Sequence, residues 1–156
     1  MSVTREIYEG FQRGELHRWD AVIAQDVHLN SPIRWNVVGL DALKAFANQL
    51  LTALEPRIDL IDEYEGTGNR AFLTVTLHWK HVGEFFGISP TGREGTSVET
   101  FIFTIEGGKV TKFDVSGRSL DLAIYLWARG WPHPHNMRPT PIVEGVRPEY
   151  RTLVRR

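Results

Sequence analysis

The chain has 156 residues, which fits one domain spanning residues 1–156 and allows a core large enough to fold without a metal or a disulfide. Its 18 Lys and Arg residues against 19 Asp and Glu residues give a formal net charge of -1, so no basic surface is expected to hold nucleic acid. The absence of cysteine excludes disulfides, thiolate catalysis and cysteine-ligated metal sites. No stretch approaches the roughly 18 apolar residues of a membrane span, and the N-terminal segment lacks the apolar core of a signal peptide. We therefore expect a soluble, cytoplasmic protein without membrane contact.

The first residues of the chain carry helical spacing. Apolar residues recur every four positions from Val3 to Phe11, and Ser2 before them is a good N-cap. This pattern predicts a first helix that ends near Gly14. A short second helix is expected over residues 16–23.

A broad apolar face over residues 40–54 predicts a third helix. Asp41 can cap its start, and Pro56 ends it because proline cannot continue a helix. The polar segment QDVHLNSP is expected to connect the second helix to the third.

From residue 57 onwards, β-branched and aromatic residues alternate with polar ones, which is typical of strands. The connections between these segments are short and rich in Gly, as antiparallel neighbours require. Helices followed by such strands predict an α+β domain, in which the helices cover one face of a curved antiparallel sheet and leave an apolar pocket at its open end. The four predicted strands are RIDLIDEY, RAFLTVTLHWKH, TSVETFIFTIEGG and KVTKFDVSG.

The end of the chain predicts a closing helix and a tail. Ser119 can cap the segment SLDLAIYLWAR, and Gly130 with the following proline stops it. Residues 131–156 carry many prolines and are expected to form an extended tail. His133 and His135 lie in this tail, but two His alone do not complete a zinc shell of four ligands, so no metal site is expected.

The segment HVGEFFGISPTGR, residues 81–93, resembles a hairpin pattern of the SnoaL-like polyketide cyclases, which belong to the NTF2-like cone fold. The resemblance extends over residues 3–130. It includes Tyr8 in the first helix, residues 26–28, Gly39 before the third helix and residues 108–110.

This resemblance implies a cofactor-free enzyme that closes a ring of a small hydrophobic or polycyclic substrate by intramolecular aldol chemistry. Such a reaction needs a base to remove a proton next to a carbonyl and an acid to protonate the developing alkoxide. The fold also hosts epoxide hydrolases, dehydratases, isomerases and non-catalytic modules that bind ligands or form dimers. The function has to be argued from the residues of the site.

Two aspartates compete for the role of general acid and base. The family places a catalytic Asp where the last strand passes into the closing helix, and counting back from Gly130 reaches Asp121. Counting forward from residues 108–109 reaches Arg118 instead, and Asp114 shares strand alternation with Val110. We favour Asp121 and keep Asp114 as an alternative. An acid at Asp121 is also what the first turn of a helix favours without any catalytic role.

His81 is a third candidate for catalysis because it continues the alternation of the second predicted strand toward the pocket. Its imidazole could hydrogen-bond a substrate carbonyl or transfer a proton, or it could simply close the hairpin. Glu99 shares a face with Phe101 and is either an acid of the pocket or a charge at the edge of its strand, and we favour the edge.

Several further side chains are expected to contact the substrate. Large aromatic side chains can line a cavity, and Tyr8 is included through the family resemblance. Arg118 together with the two aspartates resembles the acid, Arg and acid set of the epoxide hydrolases of this fold, although here all three fall in one short stretch. The predicted substrate-binding residues are Tyr8, Trp35, Trp79, Phe101 and Arg118. An exposed sheet face around His78 and Lys80 predicts a homodimer.

Overall fold

The structure, a computed structural model, describes residues 2–131. In this range the chain forms three α-helices, one 3-10 helix and six strands. Ser2 accepts a hydrogen bond from the backbone N–H of Arg5, so the predicted N-cap of the first helix is confirmed. The helices are α1 (Val3–Arg13), a 3-10 helix (Leu16–Ala21), α2 (Leu40–Leu54) and α3 (Asp121–Ala128). The strands are β1 (Ile23–Asn30), β2 (Val37–Val38), β3 (Arg57–Glu65), β4 (Arg70–Lys80), β5 (Glu94–Glu106) and β6 (Lys109–Gly117).

The strands of residues 2–131 form one curved sheet in the order β2-β1-β6-β5-β4-β3. Strands β3 to β6 pair as antiparallel neighbours in chain order, as their short connections predict. β1 differs because it runs parallel to β6, which the pattern of connections did not predict. The predicted α+β architecture is therefore confirmed, with a mixed sheet instead of a wholly antiparallel one.

The helices and one face of the sheet share a single hydrophobic core. Leu73, Val75 and Trp79 of β4 are buried on the same side of the strand, which we call the inner face. Ile7 of α1 and Leu43 of α2 belong to the same buried cluster. This packing of the helices over the inner face leaves an apolar cavity between them.

The segment QDVHLNSP was wrongly predicted as a connection, because most of it lies in β1. Gln25 and Asp26 are exposed, and the pairing of β1 with β6 shifts register between Ile23 and His28. The irregular strand therefore lacks the regular alternation that marks a strand in the sequence. The second helix was also predicted too long, since Ile23 already belongs to β1.

The residues predicted to cap the starts of α2 and α3 were wrong. Gly39 is the N-cap of α2, where its positive φ of 95° suits a residue without a side chain, and Asp41 lies inside the helix. Ser119 does not cap α3 but accepts a hydrogen bond from the backbone N–H of Val98 at 2.9 Å. The N–H of Leu122 in the first turn of α3 donates instead to Ser97 Oγ at 3.0 Å. α3 is thereby fixed directly to β5.

Residues 81–93 form an arm that connects β4 to β5. The backbone N–H of His81 donates to the carbonyl of Arg93 at 2.8 Å, which closes the base of the arm. The N–H of Gly83 donates to the carbonyl of Ala53 at 3.0 Å, so the arm is attached to the C-terminal end of α2. The arm is therefore an ordered part of the fold.

Candidate functional site

An apolar cavity of about 110 Å³ lies between the helices and the inner face of the sheet. Side chains of α1, α2, β4, β5, β6 and α3 surround it, together with the segment that follows β1. Among the described residues that line it, only Ser31, Glu99, Trp19 and Trp79 carry polar side-chain atoms. Such a cavity favours a ligand that is mostly apolar and has few polar groups.

Glu99 is the only ionisable residue among the described residues that line the cavity. Its Oε2 is buried and makes no hydrogen bond with any other part of residues 2–131. Burial disfavours the charged carboxylate and raises the pKa of Glu99 to about 7, from an ordinary value of 4.5. A carboxyl group of this kind exchanges its proton near neutral pH.

The strand pairing of β5 places Glu99 in the interior of the sheet. Glu99 lies opposite Val75 of β4 on one side and Gly117 of β6 on the other. A Cβ on Gly117 would lie 3.2 Å from Glu99 Oε2, so a side chain at residue 117 would crowd the carboxyl group. Glu99 was expected at the edge of its strand, and this expectation was wrong. The alternation with Phe101 was the correct signal, because both side chains line the cavity.

Asp114 lies on the face of β6 opposite to the cavity. The pairing of β5 and β6 shifts register by one residue between Val110 and Lys112, which is a β-bulge. Phe113 and Val115 line the cavity as a result, whereas Asp114 accepts a hydrogen bond from Asn30 Nδ2 at 3.4 Å. The alternation predicted from Val110 does not continue across the bulge. A catalytic role for Asp114 stays a prediction.

Asp121 is the first residue of α3 and lies beside the cavity wall without lining the cavity. A Cβ added to Gly95 would clash with both Asp121 Oδ2 and the indole of Trp79, so both side chains border Gly95. Arg118 is exposed just after β6. The structure therefore does not gather Asp114, Arg118 and Asp121 around the cavity, and catalysis by Asp121 stays a prediction.

His81 is fully buried at the base of the arm and does not line the cavity. Its Nδ1 lies 2.8 Å from the hydroxyl of Tyr125, which also contacts the hydroxyl of Thr91. Burial lowers the pKa of His81, which favours the neutral form of its imidazole. These contacts match the alternative in which His81 closes the hairpin, while its role in catalysis stays a prediction.

The predicted substrate-binding residues fall into two groups. Trp79 and Phe101 line the cavity. Tyr8 does not line it, and its hydroxyl donates a hydrogen bond to the carbonyl of Ile58 at 3.1 Å. Trp35 is 38% exposed and Arg118 is exposed, both away from the cavity lining.

Residues 2–131 contain neither a metal-binding cluster nor a membrane-spanning helix. No group of three or more His, Asp or Glu side chains in this range is arranged to hold a metal ion. His133 and His135, and the predicted tail beyond Trp131, lie outside the described residues. None of the described helices has both the length and the apolar character needed to cross a membrane.

Comparison with solved structures shows the fold. A candidate SnoaL-like polyketide cyclase from Jannaschia sp. CCS1 aligns with a TM-score of 0.69 at 18% identity, over 83% of this chain and 90% of that chain. AclR, a candidate hydroxylase from Streptomyces galilaeus, aligns with a TM-score of 0.64 at 20% identity, over 80% of this chain and 82% of that chain. An NTF2-like protein of unknown function from Burkholderia pseudomallei K96243 aligns with a TM-score of 0.64 at 22% identity, over 83% of this chain and 98% of that chain.

Sequence comparison gives the family. A search of curated proteins found no similar sequence. The model of the SnoaL-like polyketide cyclases matches residues 2–113, which include the N-terminal helices and most of the sheet. The resemblance seen in the 81–93 segment is therefore confirmed, and the chain belongs to the SnoaL-like polyketide cyclase family.

Proposed function

We propose that the protein is a cyclase-type enzyme that acts on a small hydrophobic ketone, with Glu99 as its general acid and base. The observation that carries this proposal is that Glu99 is the one ionisable side chain among the described residues that line a largely apolar cavity. The pKa of Glu99 near 7 supports it, since about half of such carboxyl groups are deprotonated at neutral pH. Family membership supports the class of reaction.

The proposed reaction uses Glu99 twice. The Glu99 carboxylate takes a proton from the carbon next to a substrate carbonyl, so that the C–H bond breaks, an O–H bond forms on Glu99 and the electron pair moves to the enolate oxygen. The enolate carbon then attacks a second carbonyl of the same molecule and forms the ring C–C bond. The resulting alkoxide takes the proton back from Glu99. The sequence of steps needs no oxidant, reductant or cofactor.

The first step can be tested without the natural substrate. 2-Tetralone is a bicyclic ketone, and exchange of its α-protons in D2O can be followed by NMR. Because a positioned general base contributes about 10²- to 10⁴-fold, Glu99→Gln should lower the protein-dependent exchange rate by at least about 100-fold.

The matched control is Glu106→Gln, since Glu106 ends the same strand and is exposed. Its exchange rate should equal that of the wild type. Asp121→Asn and Asp114→Asn test the two aspartates predicted from the sequence. A rate that falls with either Asn variant and stays unchanged in Glu99→Gln would assign the base to that aspartate. Binding of 2-tetralone without any exchange would favour the non-catalytic ligand-binding alternative.

We also propose that the protein is a homodimer and cytoplasmic. His78 and Lys80 lie on the outer face of β4, opposite to the buried Trp79. Thr74 on this face shares a hydrogen bond with Thr100 of β5 at 2.9 Å. This surface supports a contact between two copies that is largely polar.

A further inference from the structure

Trp79 lines the cavity, and its indole N–H is a buried donor. Trp79 is 2% exposed, and its Nε1 makes no hydrogen bond within residues 2–131. Trp19 also lines the cavity, but its Nε1–H donates to the carbonyl of Ile7 at 3.2 Å. A buried indole N–H usually finds a partner, because leaving it unpaired costs about 1 to 3 kcal/mol. Within residues 2–131 the N–H of Trp79 is therefore left free for an acceptor that a ligand can bring.

The indole of Trp79 is fixed in place by its neighbours. It lies over Gly95, where a Cβ would stand 2.5 Å from Trp79 Cζ2, and so only glycine leaves room for it. On another side it packs on Tyr125 with the ring centroids 4.9 Å apart. A donor held in this way loses little freedom when it binds an acceptor.

The charges around the cavity restrict the chemistry of the ligand. No Lys, Arg or His side chain is among the described residues that line it, and Glu99 is an acid. A carboxylate or phosphate in the cavity would be desolvated without a counter-charge and would face the Glu99 carboxyl group. An uncharged acceptor, such as a carbonyl oxygen, fits these conditions.

We propose that Trp79 Nε1–H is the anchor for an uncharged oxygen acceptor of the ligand, and that the site selects neutral carbonyl compounds over hydrocarbons and anions. This inference rests on the proposed function, since it names the substrate class of the same cavity. Trp79 is a binding residue in this account, while Glu99 moves the proton.

Calorimetry with 2-tetralone, tetralin and 2-naphthoate tests the anchor. Tetralin lacks the oxygen and 2-naphthoate carries a charge. The wild type should bind 2-tetralone about threefold to tenfold more tightly than tetralin, and 2-naphthoate least tightly. Trp79→Phe removes the N–H and keeps an aromatic ring, so the preference for 2-tetralone over tetralin should disappear. Tyr64→Phe, at an exposed aromatic residue that does not line the cavity, should keep it.

A second measurement uses the wild type alone, in case the Phe variant does not fold. The indole N–H resonance of Trp79 in a ¹⁵N-labelled sample should shift when 2-tetralone is added and should shift less with tetralin. The anchor would be overturned if Trp79→Phe kept the wild-type preference for 2-tetralone over tetralin. It would also be overturned if 2-tetralone and tetralin shifted the indole N–H resonance of Trp79 equally. The Glu99 role fails separately, because it is judged by proton exchange. A retained preference in a protein that catalyses no exchange would remove the proposed function and leave the anchor standing.

Discussion

Replacing Glu99 by Gln should change how the stability of the protein depends on pH. The folded protein holds the pKa of Glu99 at about 7, whereas the unfolded chain returns it to about 4.5. Between these values the folded state keeps a proton that the unfolded state has lost, so the free energy of unfolding falls as pH rises from about 4.5 to about 7. Below this window Glu99 is protonated in both states and does not lower the free energy of unfolding. Above it Glu99 lowers the free energy of unfolding by its full amount.

The size of the change in free energy of unfolding follows from the size of the pKa shift of Glu99. Each pKa unit corresponds to about 1.4 kcal/mol, so the wild type should lose about 2 to 3 kcal/mol between about pH 5 and about pH 8 because of Glu99 alone. Urea denaturation of the wild type and Glu99→Gln at these two pH values isolates this contribution, since all other groups are common to both proteins. The variant should gain stability relative to the wild type by this amount at the higher pH.

Glu106→Gln is the control for this experiment, because its exposed carboxyl group should give the same difference from the wild type at both pH values. The reasoning would be refuted if the difference in free energy of unfolding between Glu99→Gln and the wild type were the same at both pH values within about 0.5 kcal/mol. It would mean that Glu99 is solvated in the folded protein.

Two further results are expected. Gly95→Ala should lower the free energy of unfolding by about 1 to 3 kcal/mol, because the new Cβ would overlap the buried indole of Trp79, while Gly68→Ala in open space should change it by less than about 0.5 kcal/mol. Equal stabilities of these two variants in urea denaturation would contradict the packing over Gly95. Sedimentation equilibrium should give the mass of a dimer, and Lys80→Glu should weaken the association. A wild type that sediments only as a monomer would remove the proposed dimer.

Much of the fold could be predicted from local patterns. The apolar face of residues 40–54 and the spacing from Val3 to Phe11 follow from the helical period, and both helices are present. The alternation of Glu99 with Phe101 correctly grouped two residues that line the cavity. These features depend only on residues that are near each other in the chain.

The rest of the site depends on contacts between distant segments. The bulge that turns Asp114 away from the cavity exists only in the pairing of β5 with β6. The burial of Glu99 requires Val75 and Gly117 on neighbouring strands, and no local pattern reports a raised pKa. β1 was also missed for this reason, because its irregular pairing with β6 interrupts the alternation that marks a strand in the sequence. Of the aromatic residues predicted to contact a ligand, Trp79 and Phe101 line the cavity and Tyr8 and Trp35 do not. The edge position favoured for Glu99 was wrong.

The proposed function depends on Glu99 acting as the base of the cavity. The most direct test is the pH profile of α-proton exchange of 2-tetralone with the wild type and Glu99→Gln. For the wild type the rate should rise with a midpoint near pH 7, as the Glu99 carboxylate forms, and reach a plateau above it. For Glu99→Gln this protein-dependent rise should be absent. The same rise at the same rate in both proteins would contradict the account.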